Sequence, residues 1–109
     1  MALITKRFDL IRNLEIRDTA SHYPTDLMNL DKAVAWGFEV KNKHNQAVTV
    51  ALIGGEARGL VGSSASVAAN TDEPVATDVW NPWLGLRATY STAPTSGDLT
   101  ILGWVQEEE

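Results

Sequence analysis

The 109-residue sequence contains no cysteine and only two histidines. Without cysteine these residues form no disulfide and have no thiolate chemistry, and they lack one of the usual ligands of zinc. No apolar stretch approaches the roughly 20 residues that span a bilayer. Charges at Lys6, Arg7, Asp9 and Arg12 interrupt any signal-peptide core near the first residue. The sequence therefore predicts folding in a cytoplasm without membrane contact.

Positive charge is also scarce. The chain carries 9 Lys and Arg against 14 Asp and Glu, a formal net charge of -5 at pH 7. This balance disfavours nucleic-acid binding, which depends on Lys and Arg contacts to phosphates. Residues 1–17 have a net charge of +2, whereas residues 70–109 carry seven acids against Arg87 alone, a net charge of -6. The two ends can pair within one molecule or between neighbouring subunits.

The dominant pattern is an alternation of apolar and polar residues with a period of two, and no long segment has the period of a helix. Turn-forming Pro, Gly, Ser, Thr and Asn separate the alternating segments. The predicted strands lie at 8–16, 32–42, 47–53, 66–69, 74–80, 83–91 and 98–105. The pattern predicts an all-β protein, an antiparallel β-sandwich of about seven to eight strands, immunoglobulin-like or jelly-roll, with no substantial helix.

The length and the 44% hydrophobic content predict a single domain over residues 1–109. We expect a short N-terminal arm at about residues 1–7 and a frayed acidic tail at residues 106–109. Two long loops are predicted, residues 18–32 with a helical turn at 27–30, and the glycine-rich residues 54–64. Long loops on a sandwich commonly carry partner contacts.

The sequence shows no catalytic constellation. His22 and His44 fall in predicted surface loops without a second histidine at metal-ligand spacing. The serines near residue 64 lack the G-x-S-x-G pattern of a nucleophile elbow. We therefore expect no enzyme activity, no catalytic residue, no cofactor and no metal. Enzyme function would require a metal held between His22 and nearby aspartates.

The tryptophans have different predicted roles. Trp36 is in phase with apolar neighbours and is expected in the core. Trp80 and Trp83 flank an Asn-Pro turn and are expected to close one end of the sandwich. The alternative is that Trp80, Trp83 and Tyr90 contact a ligand such as a sugar.

The last strand carries apolar residues on both faces. Leu99, Ile101 and Val105 supply a core face, while Leu102 and Trp104 fall on the opposite face. That second face is covered either by another part of this chain or by another subunit. Leu102 and Trp104 are therefore candidate interface residues.

Two segments, VKNKHNQAVTVALIGG and WNPWLGLRATYSTAPTSGDLTI, resemble small β-sandwich proteins of tailed-phage virions, of the capsid decoration (cement) type. The resemblance covers the chain from Ala33 onward and rests on strand rhythm and turn chemistry. It implies a structural protein of the bacteriophage virion surface that stabilises the particle after synthesis in the host cytoplasm. Its implied partners are copies of itself, with a trimer favoured, and a major capsid protein. Lys6 and Arg7 would then lie on an arm that contacts an acidic neighbour.

The main alternative is a carbohydrate-binding or adhesin-like β-sandwich module that uses Trp80, Trp83, Tyr90 and the long loops. Both interpretations describe non-enzymatic proteins. They differ in whether the exposed aromatic residues contact a sugar or a subunit.

Overall fold

The computed structural model describes residues 2–108 and contains eight β-strands. They are β1 (Leu3–Leu14), β2 (Met28–Asn29), β3 (Ala33–Asn42), β4 (Val48–Gly54), β5 (Gly59–Val67), β6 (Thr71–Val75), β7 (Trp83–Thr89) and β8 (Leu99–Glu108). The described residues include no helix, so none is long and apolar enough to cross a membrane. The predicted all-β class is confirmed.

The strands form two four-stranded antiparallel sheets. Sheet A has the order β1-β8-β3-β6 and sheet B the order β2-β7-β4-β5. The first strand pairs with the last, the second with the seventh, the third with the sixth and the fourth with the fifth. This nested pairing is the jelly-roll arrangement rather than the immunoglobulin one.

The core lies between the sheets and follows the period of two. On β8, Leu99, Ile101 and Val105 are fully buried, as the alternation predicts. They meet the buried apolar residues of β4 and β7 from sheet B. Trp36 is only partly buried at the margin of this core, where its indole N–H donates to the carbonyl of Val79 at 3.1 Å. The expected core position of Trp36 is therefore marginal rather than central.

The expected N-terminal arm and frayed tail are instead paired with each other. β1 begins at Leu3, and residues 3–7 pair with residues 104–108 of β8. The Lys6 ammonium lies 3.0 Å from the Glu107 carboxylate across this pair. Opposite charges on facing positions favour this pairing. The period of two in the sequence does not show which strands pair, so it did not reveal this contact. Met1 and Glu109, the ends of the expected arm and tail, lie outside the described residues.

Both predicted long loops are shorter than expected. Within 54–64, only residues 55–58 form a turn, and β5 begins at Gly59. Within 18–32, the segment expected to form a helical turn contains β2, because Met28 and Leu30 alternate into the core. The strand predicted at 74–80 ends at Val75 as part of β6.

His44 is buried, contrary to the expected surface position. Its Nε2 accepts a hydrogen bond from the backbone N–H of Ile16 at 3.1 Å, and its Nδ1 lies 2.8 Å from the Tyr90 hydroxyl. That hydroxyl donates to Oδ1 of Asn42 at 2.8 Å. Since Nε2 must accept and the hydroxyl proton goes to Asn42, Nδ1 carries the proton of a neutral imidazole. His44 is thus a structural residue that shares one buried network with Tyr90 and Asn42.

We expect Tyr90→Phe to lower the free energy of unfolding by about 1–3 kcal/mol, because it leaves the buried Nδ1–H of His44 without a partner and removes one of the hydrogen bonds that Asn42 Oδ1 accepts. Urea denaturation measures this loss. Tyr23→Phe is the matched control, since Tyr23 is 48% exposed, and it should change stability by less than about 0.5 kcal/mol. Equal effects of the two substitutions would show that the network contributes nothing to stability.

Burial lowers the pKa of His44 below its usual value of 6.5, and the nearby Arg17 lowers this pKa further. The unfolded chain therefore takes up this proton at a higher pH than the folded protein does. Protonation of His44 should not affect the free energy of unfolding above pH 6.5. As the pH falls below this value, the free energy of unfolding should decrease. Denaturation curves measured between about pH 5 and about pH 7.5 test this, because the range brackets the usual pKa of histidine. His22→Gln should keep the decrease, and a flat profile in the parent protein would contradict it.

Candidate functional site

The outer face of sheet A carries the predicted interface residues at its centre. Trp104 on β8 lies beside Arg7 on β1 and beside Gly37 on β3. A Cβ atom on Gly37 would lie 2.8 Å from the indole, so the Trp104 ring lies directly over this glycine. The next row places Leu102 between Asp9 and the neighbouring strand β3. Leu102 and Trp104 thus lie together on the face opposite the core, as the alternation predicted.

Within residues 2–108, neither the N-terminal segment nor a long loop covers these two side chains completely. β1 lies beside β8 in the same sheet, and both Leu102 and Trp104 remain partly exposed. Charges of both signs surround them, with Arg7 and Asp9 on one side and Glu39 on the other. This surface, Leu102 and Trp104 with Arg7, Asp9 and Glu39 around them, is called the Trp104 face below.

The two cations predicted at the interface differ in their contacts. Lys6 is already paired with Glu107 inside the molecule. Arg7 is exposed next to Trp104 and forms no ion pair with residues 2–108. Beyond them, Leu3 is 57% exposed and Ile4 41% exposed, so the paired ends of β1 and β8 present apolar surface as well. Of these two cations, Arg7 is therefore the one that is available for contacts with another molecule.

The three aromatic residues predicted as ligand contacts do not share one surface. Tyr90 is wholly buried in the network with His44, so this prediction is wrong: its side chain faces the core because it continues the inward alternation of β7. Trp80 is 53% exposed, and its indole N–H donates to the carbonyl of Leu30 at 3.1 Å. Trp83 is 42% exposed and lines a separate shallow groove that contains Arg58. Among residues 2–108 the aromatic rings found in contact are those of His44 and Tyr90.

His22 and Asp18 form a surface pair. Nε2 of His22 lies 2.7 Å from the Asp18 carboxylate, and this hydrogen bond lowers the pKa of Asp18. His22 also forms a short antiparallel bridge with Ala88. Within residues 2–108, no third His, Asp or Glu joins a group that could hold a metal ion. The contact joins two side chains four residues apart in the segment before β2.

Sequence reasoning missed a groove on the outer face of sheet B. Its volume is about 620 Å³, and Arg87 on β7 lies in it next to Ala51 of β4. Six hydroxyl side chains line it: Ser21, Thr49, Ser63, Ser64, Thr89 and Ser91. The sequence offered one indication of this groove, which is that Arg87 is the single cation among residues 70–109. Only the strand register shows that hydroxyls from four segments surround it.

Comparisons with models of protein families and with curated protein sequences find no match. A solved structure is similar, a chain from Bacillus endospore appendages, which are described as a novel family of disulfide-linked pili. The two chains are 12% identical, with a TM-score of 0.57, over 96% of this chain and 87% of the other. At this identity the similarity establishes the shared fold.

Proposed function

We propose that this chain is a non-enzymatic structural protein that works by assembling with copies of itself. The observation that carries the proposal is the Trp104 face, where a tryptophan and a leucine lie partly exposed at the centre of a four-stranded sheet. The core already contains the apolar residues of the opposite face of β8. A second copy that covers Leu102 and Trp104 would remove their remaining apolar surface from water.

The charges around the Trp104 face suit contact between identical molecules. Arg7 stands on one side of Trp104, whereas Asp9 and Glu39 flank Leu102 one row further along. A face that carries both signs can be complementary to a second copy of itself, since the cation of one molecule can meet an acid of the other. These charges orient the contact, while the buried aromatic ring contributes most of its stability.

We further propose that the assembly is part of a virion, as a capsid decoration or other surface protein of a tailed phage. The resemblance of the segments at residues 40–55 and 80–101 to such proteins supports this, and jelly rolls are a common architecture of viral capsid proteins. The partners would be a trimer of this chain and a major capsid protein.

The similar fold in the endospore appendages supports assembly as the mode of action, because that protein is described as forming pili. Those pili are disulfide-linked, whereas the present 109 residues contain no cysteine. Contacts between copies through these residues would therefore not be disulfide-linked. A location outside the cell or on a particle fits both the appendage and the virion interpretation.

The residues first considered for carbohydrate binding give this alternative less support than the Trp104 face gives assembly. Tyr90 is part of the buried network, and Trp80 and Trp83 contact different surroundings rather than one platform. Sugar-binding sites of the stacking type need exposed rings that act together with nearby polar groups. Assembly therefore remains the function that the exposed tryptophans support best.

The double substitution Leu102→Lys with Trp104→Ser tests the proposal. We expect it to raise the dissociation constant of the oligomer roughly 30-fold or more, because truncation of a central interface tryptophan costs about 2 kcal/mol or more. Mass in solution measured over a range of concentrations, and co-sedimentation with purified capsids, give the result. The variant should still unfold cooperatively, since neither residue faces the core.

Leu60→Lys with Trp83→Ser is the matched control. It makes the same two changes at exposed residues of sheet B, 60% and 42% exposed, away from the Trp104 face on sheet A. The control should assemble as the parent does. Normal assembly of the Leu102 and Trp104 variant would place the interface elsewhere, and a parent protein that stays monomeric with and without capsids would contradict the proposed function.

A further inference from the structure

The groove around Arg87 has walls that are held in place by specific contacts. On one side, the backbone N–H of His22 donates to the carbonyl of Ala88 at 2.8 Å, and the N–H of Ala88 donates to the carbonyl of His22 at 2.9 Å. The chain that follows packs over sheet B, where Pro24 and Leu27 lie against Gly85. β5 forms the other side. The groove is therefore a feature of the folded sandwich rather than a gap between mobile loops.

Arg87 is the charged group at the centre of this groove. It lies on β7 opposite Ala51, and Ala51 lies opposite Ser64 of β5, so small side chains stand next to the guanidinium. Its Nε is buried and has no hydrogen-bond partner among residues 2–108. The side chain forms no ion pair with those residues either. The charged guanidinium lines the groove, where its terminal N–H groups can donate to an acceptor from outside the molecule.

Three other arginines of the chain have partners, whereas Arg7 is exposed beside Trp104. Arg12 pairs with Asp9, Arg17 donates to the carbonyls of Ile16 and Gly97, and Arg58 donates to the carbonyls of Pro24 and Thr25. Arg17 and Arg58 thereby link segments that are distant in sequence. Arg87 differs because it lies in a groove with its donors unused by the described residues.

We infer that this groove binds an acidic saccharide, a sugar that carries a carboxylate. The planar guanidinium matches a carboxylate through two parallel hydrogen bonds. The six hydroxyl side chains can exchange hydrogen bonds with sugar hydroxyls, while Ala51 and Leu60 supply apolar contact. A volume of about 620 Å³ lies within the range of small-ligand sites.

The charge of the site favours one carboxylate over more highly charged ligands. Arg87 is the single cation of residues 70–109, which carry seven acids. One guanidinium balances one negative charge, whereas a doubly charged phosphate would meet the net negative charge of the protein with too few cations. A neutral sugar would offer the guanidinium no negative charge, so its hydrogen bonds to Arg87 would be weaker than those of a carboxylate.

The acidic end of a second copy fits the groove less well. Residues 106–108 are part of β8 and pair with β1, and Glu107 already contacts Lys6. An extended peptide also binds best along a strand edge that offers backbone partners, whereas this groove lies on a sheet face lined by side chains. The proposed saccharide site belongs to sheet B, so it is separate from the Trp104 face on sheet A.

Titration with the methyl glycoside of galacturonic acid, a sugar that carries one carboxylate, followed by calorimetry and by amide chemical shifts, tests the proposal. Its methyl ester is the matched ligand without charge. We expect saturable binding of the acid, with shifts at residues of β4, β5 and β7, and binding of the ester that is roughly tenfold weaker or more, because a hydrogen bond to a charged group is lost. Absence of saturable binding to the folded parent protein, or equal binding of acid and ester, would overturn the inference.

Four variants locate the site. Arg87→Met should weaken binding of the acid by roughly tenfold or more, and Arg87→Lys should give an intermediate loss because the charge remains without the paired donors. Ser64→Tyr fills the groove from an exposed strand position and should also block binding. Arg12→Met, which removes a cation near sheet A, should bind as the parent does. Circular dichroism checks that each variant is folded, and unchanged binding by both Arg87→Met and Ser64→Tyr would overturn the site.

A synthetic peptide with the sequence of residues 100–109 distinguishes the other source of carboxylates. Failure of this peptide to displace the methyl glycoside of galacturonic acid supports the saccharide site. If the peptide binds in a manner that depends on Arg87 while the saccharide does not, the groove is a contact between copies and the inference is wrong. Because these measurements use ligand binding rather than oligomeric mass, their outcome is independent of the assembly proposed above.

Discussion

The buried hydrogen bonds of His44 fix the end of the sandwich on which the strand arrangement depends. His44 contacts the backbone of Ile16 just after β1 and the hydroxyl of Tyr90 just after β7. Asn42, at the end of β3, joins the same network and donates to the carbonyls of Val67 and Ala68 beyond β5. Segments from both sheets are therefore held in one relative position by groups that have no access to water. Such a network is stable only when each member has its partner.

The strand registers place specific side chains on the outer faces of the two sheets. With the register of β1, β8 and β3 set, Trp104 lies between Arg7 and Gly37 on the outer face of sheet A. With the register of β5, β4 and β7 set, Ser64, Ala51 and Arg87 form one row on the outer face of sheet B. The core is filled by the inward residues of both sheets, and the proposed saccharide site and the proposed contact between copies lie on the two outer faces.

The two faces have different chemistry. The Trp104 face presents an aromatic and an aliphatic side chain with charges of both signs around them, which suits a protein surface. The Arg87 groove presents one cation among hydroxyls, which suits a small polar ligand. A particle-forming protein that also binds a saccharide would carry the two functions on opposite sheets. Neither face needs a cysteine, so the chain can assemble differently from the disulfide-linked pili with which it shares a fold.

Sequence alone determined the all-β class, the position of most strands and the two faces of β8, because a period of two places Leu102 and Trp104 opposite Ile101 and Val105 whatever the topology. It could not determine the strand order, so the pairing of residues 3–7 with residues 104–108 replaced an expected arm and tail. The burial of His44 and Tyr90 was likewise decided by tertiary structure, since polar residues enter a core only where distant partners meet them. The Arg87 groove has the same origin. Its hydroxyls come from four separate segments, and only the packing of β4, β5 and β7 with the chain near His22 brings them around one guanidinium.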